Sequence, residues 1–272
     1  MKKFLRTSVN LLPSAARRWV KHVPLVAGTQ RWLVNRVLSG EPFLHTINAG
    51  PASGLRFEVT LPRDKAIWAG TFEPEFSEML RGGVCQGDVC YDIGGYRGYM
   101  SGVLVLAGAR RVVVFEPLPD NGAALQRLAQ LNPALPLQIE QLAVGGADGQ
   151  ARFKVMPDQS MGKLANSPFQ PDVPAEREIV ITVRRLDTLV FDDGFARPDL
   201  IKVDVEGAEV DVLNGAARTL REFRPRVFIE AHSAALAAAC GQQLANLGYQ
   251  VRQLELLALC PEETRHLVAE PK

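Results

Sequence analysis

The stretch "DVCYDIGGYRGYMSGVLVLAGARRVVVFEP" (residues 88–117) decides the fold. "DVCYDIG" is a short apolar strand that runs into Gly94 and Gly95. "YMSGVLVLAGA" is helical and stops at Gly108, and "RRVVVFEP" is a second strand rich in β-branched residues. Apolar strands joined through a helix pair in parallel and need cover on both faces. The crossover is right-handed, so further units wind outward from this one. The rhythm continues with the helix "NGAALQRLAQLN" and the strand "LQIEQLAVG". Later come the strand "DLIKVDVEG", the helix "AEVDVLNGAARTLREF", the strand "RVFIEAH" and the helix "AALAAACGQQLANLG". Upstream, "GLRFEVTLPRD" alternates as a strand and "PEFSEMLRGG" reads as a helix. The expected fold is α/β: a doubly wound, mostly parallel Rossmann-like sheet with helices on both faces.

Around this body the charge is uneven. Residues 1–40 hold eight of the 31 basic residues and no acid, while the rest is mildly acidic. The division expected is a basic helical extension over 1–50 and a catalytic-type domain over 51–272. The start carries a signal-like cluster of positive charge, but Thr7, Ser8, Asn10, Pro13 and Arg17-Arg18 interrupt any apolar core, which argues against secretion. Residues 1–36 combine basic residues with Leu11, Leu12, Trp19 and Trp32. That composition suits packing on the body or peripheral contact with an anionic membrane. No stretch reaches the ~20 apolar residues of a membrane span. Four cysteines without a CxxC pair fit a reducing cytoplasm, with Cys90 a buried, inert thiol. Residues 156–177, with four prolines, read as a long loop on the substrate side.

The glycine turn indicates a ligand. In an open α/β sheet the ligand lies beyond the carboxyl ends of the strands, where Gly94 and Gly98 stand. No GxGxxG can be drawn through D-I-G-G-Y-R-G, which excludes the dinucleotide fingerprint and disfavours an NAD-dependent oxidoreductase. Asp92 would repel a pyrophosphate but suits an ammonium group. Glu116, ending the second strand, can accept both hydroxyls of a ribose. A ligand with ribose, ammonium and no phosphate is S-adenosylmethionine.

Phe115-Glu116-Pro117, Ala143-Val144-Gly145, Leu186-Asp187-Thr188-Leu189 and Ile201-Lys202-Val203-Asp204-Val205-Glu206-Gly207-Ala208-Glu209 occur in that order. With these blocks the chain, from about Trp68 to Leu254, resembles the FkbM family of S-adenosylmethionine-dependent methyltransferases. The resemblance implies Asp92, Gly94, Gly98, Glu116 and Ala143 as cofactor-binding residues. It also implies methyl transfer to a small-molecule or glycan acceptor, such as a hydroxyl of a sugar, glycolipid or secondary metabolite, and no nucleic acid. Two departures stand out: Gly95-Tyr96 where the family has Ala-Asn, and Gly146 where an Asp is usual. Arg97 adds charge beside the ligand. These departures motivate the alternative of a degenerate, non-catalytic cofactor-binding module.

An alcohol acceptor must lose its proton as the methyl bond forms. If "IKVDVEG" is extended, Lys202, Asp204 and Glu206 share one face, with Glu206 nearest the rim. Glu206 is the first candidate base and Asp204 the second. His232, with Glu230 on the neighbouring strand, can also take a proton near neutral pH. These groups could ligate a divalent ion, but no spacing motif demands one and none is expected. Glu209 and Asp211 are accounted for by the dipole of the helix they begin.

Overall fold

The computed structural model describes residues 40–155, 162–164, 177–254 and 264–272. The basic arm over 1–36 and most of the proline-rich loop lie outside these residues. Strand β1 (Phe43–Thr46) pairs antiparallel with β2 (Arg56–Val59). Ile47 and Ala52, between these two strands, are fully buried in the core. Two helices follow, α1 (Lys65–Ala69) and α2 (Pro74–Gly83).

The central unit is β3 (Val89–Ile93), α3 (Tyr99–Leu106), β4 (Arg111–Phe115), α4 (Pro119–Leu131) and β5 (Leu137–Glu140). After an excursion come α5 (Leu186–Phe191), β10 (Leu200–Val203), α6 (Glu209–Gly215), α7 (Ala217–Phe223), β11 (Arg226–Ala231) and α8 (Ala234–Asn246). The chain closes with β12 (Tyr249–Leu254) and β13 (Arg265–Pro271). These strands form a seven-stranded sheet in the order β12-β13-β11-β10-β3-β4-β5, parallel except for β13. Strand order reverses at β3, whose neighbours are β4 on one side and β10 on the other. That is the switch point at which such sheets bind ligands.

Period-two alternation explains the burial of β3. Val89, Tyr91 and Ile93 enter the core beneath α5, α6, α7 and α8, with Leu186, Leu213 and Leu244. Cys90 faces the other core, with Phe76, Leu104 and Leu125 from α2, α3 and α4. Both faces are covered, as the apolar runs require. Cys85, Cys90 and Cys240 are free, and burial pushes the Cys90 thiol up to about 12.

Several elements differ from the sequence reading. "LQIEQLAVG" is not one strand: β5 ends at Glu140, and β6 (Ala143–Val144) joins a second sheet with β9 (Arg177–Arg184), β7 (Gly149–Val155) and β8 (Gly162–Leu164). Residues 162–164 of the expected loop thus pair with β7. "AEVDVLNGAARTLREF" breaks at Ala216 into α6 and α7. The β12–β13 pair had no clear signal, since β13 is buried on both faces and reads as a plain apolar run.

Candidate active site

Beyond the carboxyl ends of β3, β4, β10 and β11 lies a cavity of about 390 Å³. One end is walled by Gly94, Gly95, Tyr96, Glu116, Leu118 and Ala143. Gly94 has φ +82°, and a Cβ there would stand 1.7 Å from the backbone oxygen of Asp204. Only glycine lets β3 turn away this close to the end of β10. Glu116 is almost wholly buried at the end of β4. Its Oε2 accepts from Tyr96 N (2.9 Å), and its Oε1 accepts from Leu118 N (2.9 Å) and Asn121 Nδ2 (3.2 Å). Burial raises this carboxyl to about 7 against those three donors. Oε1 thus has both lone pairs engaged, while Oε2 retains room for another donor.

The other end is rich in acids. Lys202, 2% exposed, donates to Gly94 O (2.8 Å) and lies 3.1 Å from Asp92 Oδ1 and 3.2 Å from Asp204 Oδ2. Burial acts to lower the Lys202 pKa, but Asp204 and Asp92 outweigh it and the ammonium is held above its ordinary value. β10 ends at Val203, so strand alternation does not carry Asp204 and Glu206 into the site. A turn with Glu206 at φ +51° and Gly207 at φ +96° does so instead. Glu206 Oε2 then lies 3.3 Å from His232 Nε2, and Asp204 Oδ1 lies 3.6 Å from it.

His232 Nδ1 donates to Glu209 Oε1 at 2.6 Å, and Glu209, wholly buried, also accepts from Gly207 N. Burial works to lower the His232 pKa, but Glu209, Asp204 and Glu206 raise it to about 10. The three carboxylates thus favour the imidazolium form of His232. Glu206 is raised to about 7, chiefly by burial, with His232 pulling it down. Glu230 is raised to about 7, again mainly by burial, with Asp204 adding to it.

Against these structural facts stand the comparisons with known proteins. A sequence model of the methyltransferase FkbM domain matches residues 92–254. This chain belongs to the FkbM methyltransferase family.

Among its relatives is "Methyltransferase 1" of Beauveria bassiana, 26% identical over 156 residues, covering 47% of this chain and 63% of that protein. The hexuronic acid methyltransferase AglP of Haloferax volcanii is 28% identical over 148 residues, covering 54% and 56%. The chain thus spans about 60% of the length of these relatives. The crystal structure of an FkbM methyltransferase from Methylobacillus flagellatus aligns with a TM-score of 0.50 at 21% identity, covering 71% of this chain and 47% of that one. The fold is thereby the Rossmann-like methyltransferase fold, and the cofactor of this FkbM protein is S-adenosylmethionine. The pocket suits it: a carboxylate with spare acceptor capacity for a ribose, and apolar walls from Phe115, Leu118 and Val144 for a flat base.

Not every expected residue stands on the pocket wall. Asp92 is fully buried, its Oδ2 accepting from Ser101 Oγ (2.6 Å) and its Oδ1 beside Lys202. It therefore anchors Lys202 and is not placed to meet a cofactor ammonium. Gly98 caps α3 against Leu125 and Leu128, outside the pocket. Arg97 is drawn away from the ligand to Asp64 (2.6 Å) and the backbone oxygen of Glu58. Gly146 is exposed beside Asp211, off the pocket wall. Gly95 has a local cause: a Cβ there would stand 2.1 Å from Val114 Cγ1, because this chain fills that space from β4. Tyr96 keeps the left-handed backbone, φ +48°, that asparagine tolerates better.

Sequence reasoning missed Glu73 and Glu209. Glu209 carried a signal in "EGAE" that the helix dipole seemed to explain. Glu73, before Pro74, carried none. Asp204, Glu230 and His232 each offer an atom within 4.8 Å of the others, a spacing compatible with a cation.

Proposed function

We propose that this FkbM methyltransferase methylates a hydroxyl oxygen of a sugar or similar polyol, with Glu206 as the base. The observation that carries the reading is the Glu206 carboxylate on the pocket wall, 3.3 Å from the His232 imidazolium and raised by burial to about 7. A base poised near the working pH is the efficient one. When bound, S-adenosylmethionine supplies an electrophilic methyl group on a sulfonium. The chain's part is to fix geometry and to move one proton.

Glu116 takes the cofactor ribose, and Gly94, Gly95 and Ala143 allow close approach of the rest. Lys202 fixes Asp204 and, through Gly94 O, the glycine turn. The acceptor O–H bond breaks toward the Glu206 carboxylate, which becomes the neutral acid. His232, oriented by Glu209, holds Glu206 ionised beforehand. The Haloferax relative, named for a hexuronic acid, supports a sugar acceptor.

The reading is tested by supplying methyl-¹³C S-adenosylmethionine with mixed glycosides and assigning the product by NMR. A methyl carbon bonded to oxygen is expected. Methyl found only on nitrogen or carbon contradicts the proposal.

A further inference from the structure

Acids from separate parts of the chain meet at the acceptor end of the pocket. Glu73 comes from the turn before α2, outside the family segment that begins at residue 92. Asp204 and Glu206 follow β10, and Glu230 lies near the end of β11. Glu73 holds a left-handed backbone, φ +41°, with Pro74 next to it and the fully buried Phe76 anchoring the turn. Its side chain reaches Glu230 within hydrogen-bonding range.

Glu230 Oε2 is buried, 3.3 Å from His266 Nε2 but without a well-aligned hydrogen bond, and a single proton between the Glu73 and Glu230 carboxyl groups satisfies both. Burial, Glu230 and Asp204 together raise Glu73 well above the carboxylate range, which agrees with a shared proton.

Nearby basic groups are already engaged, His266 among them, its imidazole beside Glu230 and its pKa lowered by burial. Lys202 sits between Asp92 and Asp204, and His232 between Glu209 and Glu206. Arg63, the one guanidinium among the lining residues, pairs with Asp64 at 3.0 Å. An acceptor carboxylate would meet acids here. A hydroxyl or ammonium would meet hydrogen-bond acceptors.

We propose that Glu73 is a specificity-determining residue: with Glu230 it makes the pocket take neutral or amino-bearing polyols and reject acceptors bearing a carboxylate beside the reacting hydroxyl. The inference rests on this pocket being the site of methyl transfer to a hydroxyl.

Saturation-transfer NMR on the full chain with S-adenosylhomocysteine bound tests it, using methyl glucoside, methyl glucosaminide and methyl glucuronide as probes. Like charges brought together in an interface are strongly disfavoured, so the first two should bind at least roughly tenfold more tightly than the glucuronide. The pair with its shared proton carries one negative charge, and Glu73→Gln combined with Glu230→Gln removes it at nearly constant shape. The double variant should narrow that ratio severalfold while S-adenosylhomocysteine affinity holds. Glu73→Gln with Glu230→Met should do the same, which guards against one variant folding poorly.

A structural role for Glu73 would weaken all three glycosides together and leave the ratio unchanged. That result overturns the proposal, as does a wild-type protein that prefers the glucuronide or binds none of the glycosides with S-adenosylhomocysteine in place. Loss of S-adenosylhomocysteine binding by the wild type would instead overturn the reading of the pocket itself.

Discussion

At the scale of single residues, the chemistry turns on how burial and neighbours set charge. Burial raises Glu206 to about 7, so the rate should rise with pH and level off above that point. Glu206→Gln should lose ~10²-fold in rate and lose the inflection, with the deficit shrinking at high pH as more acceptor alkoxide forms unaided. In His232→Gln the inflection should move to higher pH, because the imidazolium that lowers the Glu206 pKa is gone. A pH–rate profile that is flat in the wild type would remove Glu206 as the base. Lys202 is a separate case: it neutralises two carboxylates from inside the protein. Removing one partner of a buried ionic group typically costs ~3–5 kcal/mol, so Lys202→Met should approach that loss in urea denaturation. The same ammonium already supplies positive charge to Asp204, so a chelator should leave the rate unchanged. A chelator-sensitive rate restored by a divalent ion would contradict this. Glu116, Asp204 and Glu206 stood out in the sequence because they lie in recognisable blocks just after the ends of strands. The pairing of Asp92 with Lys202 was not legible, because Lys202 arrives from a strand more than a hundred residues later.

At the scale of elements, the site depends on two turns that leave regular structure. The β3 turn needs Gly94: alanine there would meet the Asp204 backbone and keep an unfavourable φ. Overpacking and left-handed strain each cost on the order of 1–3 kcal/mol, so Gly94→Ala should be among the most destabilising changes in the domain. Its neighbours behave differently. Gly95→Ala alone should destabilise against Val114, and Gly95→Ala with Val114→Ala should recover part of that loss. Tyr96→Asn should be neutral or stabilising, since asparagine tolerates φ +48°. Thermal melts of these variants check all three; a stabilising Gly95→Ala would mean that Val114 does not fill the space. The turn after β10 was misread for a clear reason. Alternation predicted the right residues on the wall, but by extending a strand that ends at Val203. Periodicity cannot see where a strand stops and a left-handed residue takes over.

For the whole molecule, βα rhythm sufficed to reveal a parallel sheet wound both ways, because the central strands β3, β4, β10 and β11 are buried on both faces. It did not reveal the second sheet or the β12–β13 pair, whose strands take their register from distant partners. Nor could it reveal Glu73, which reaches the pocket only through the packing of α2. The assembled acids leave a mark on global stability. Glu116, Glu206 and Glu230 are raised from the ordinary glutamate value of 4.5 to about 7, so between these limits the folded state binds more protons than the unfolded one. Stability contributed by these groups is present below 4.5 and lost as pH rises through 7. His232, raised from 6.5 to about 10, acts in the same direction above 6.5. The melting temperature of the ligand-free protein should therefore fall from pH 5 to pH 8, and less steeply in Glu116→Gln; a rise across that window would refute the assignment. The account's central claim is that one pocket has a cofactor end at Glu116 and a proton-accepting end at Glu206. Calorimetric titration of Glu116→Ala and Glu206→Gln with S-adenosylhomocysteine, side by side, tests it most directly. Glu116→Ala should weaken binding by about 1.5–3 kcal/mol, the range for a hydrogen bond to a charged group, and Glu206→Gln should bind as the wild type does. Equal affinities for the two variants, or the larger loss in Glu206→Gln, would contradict it.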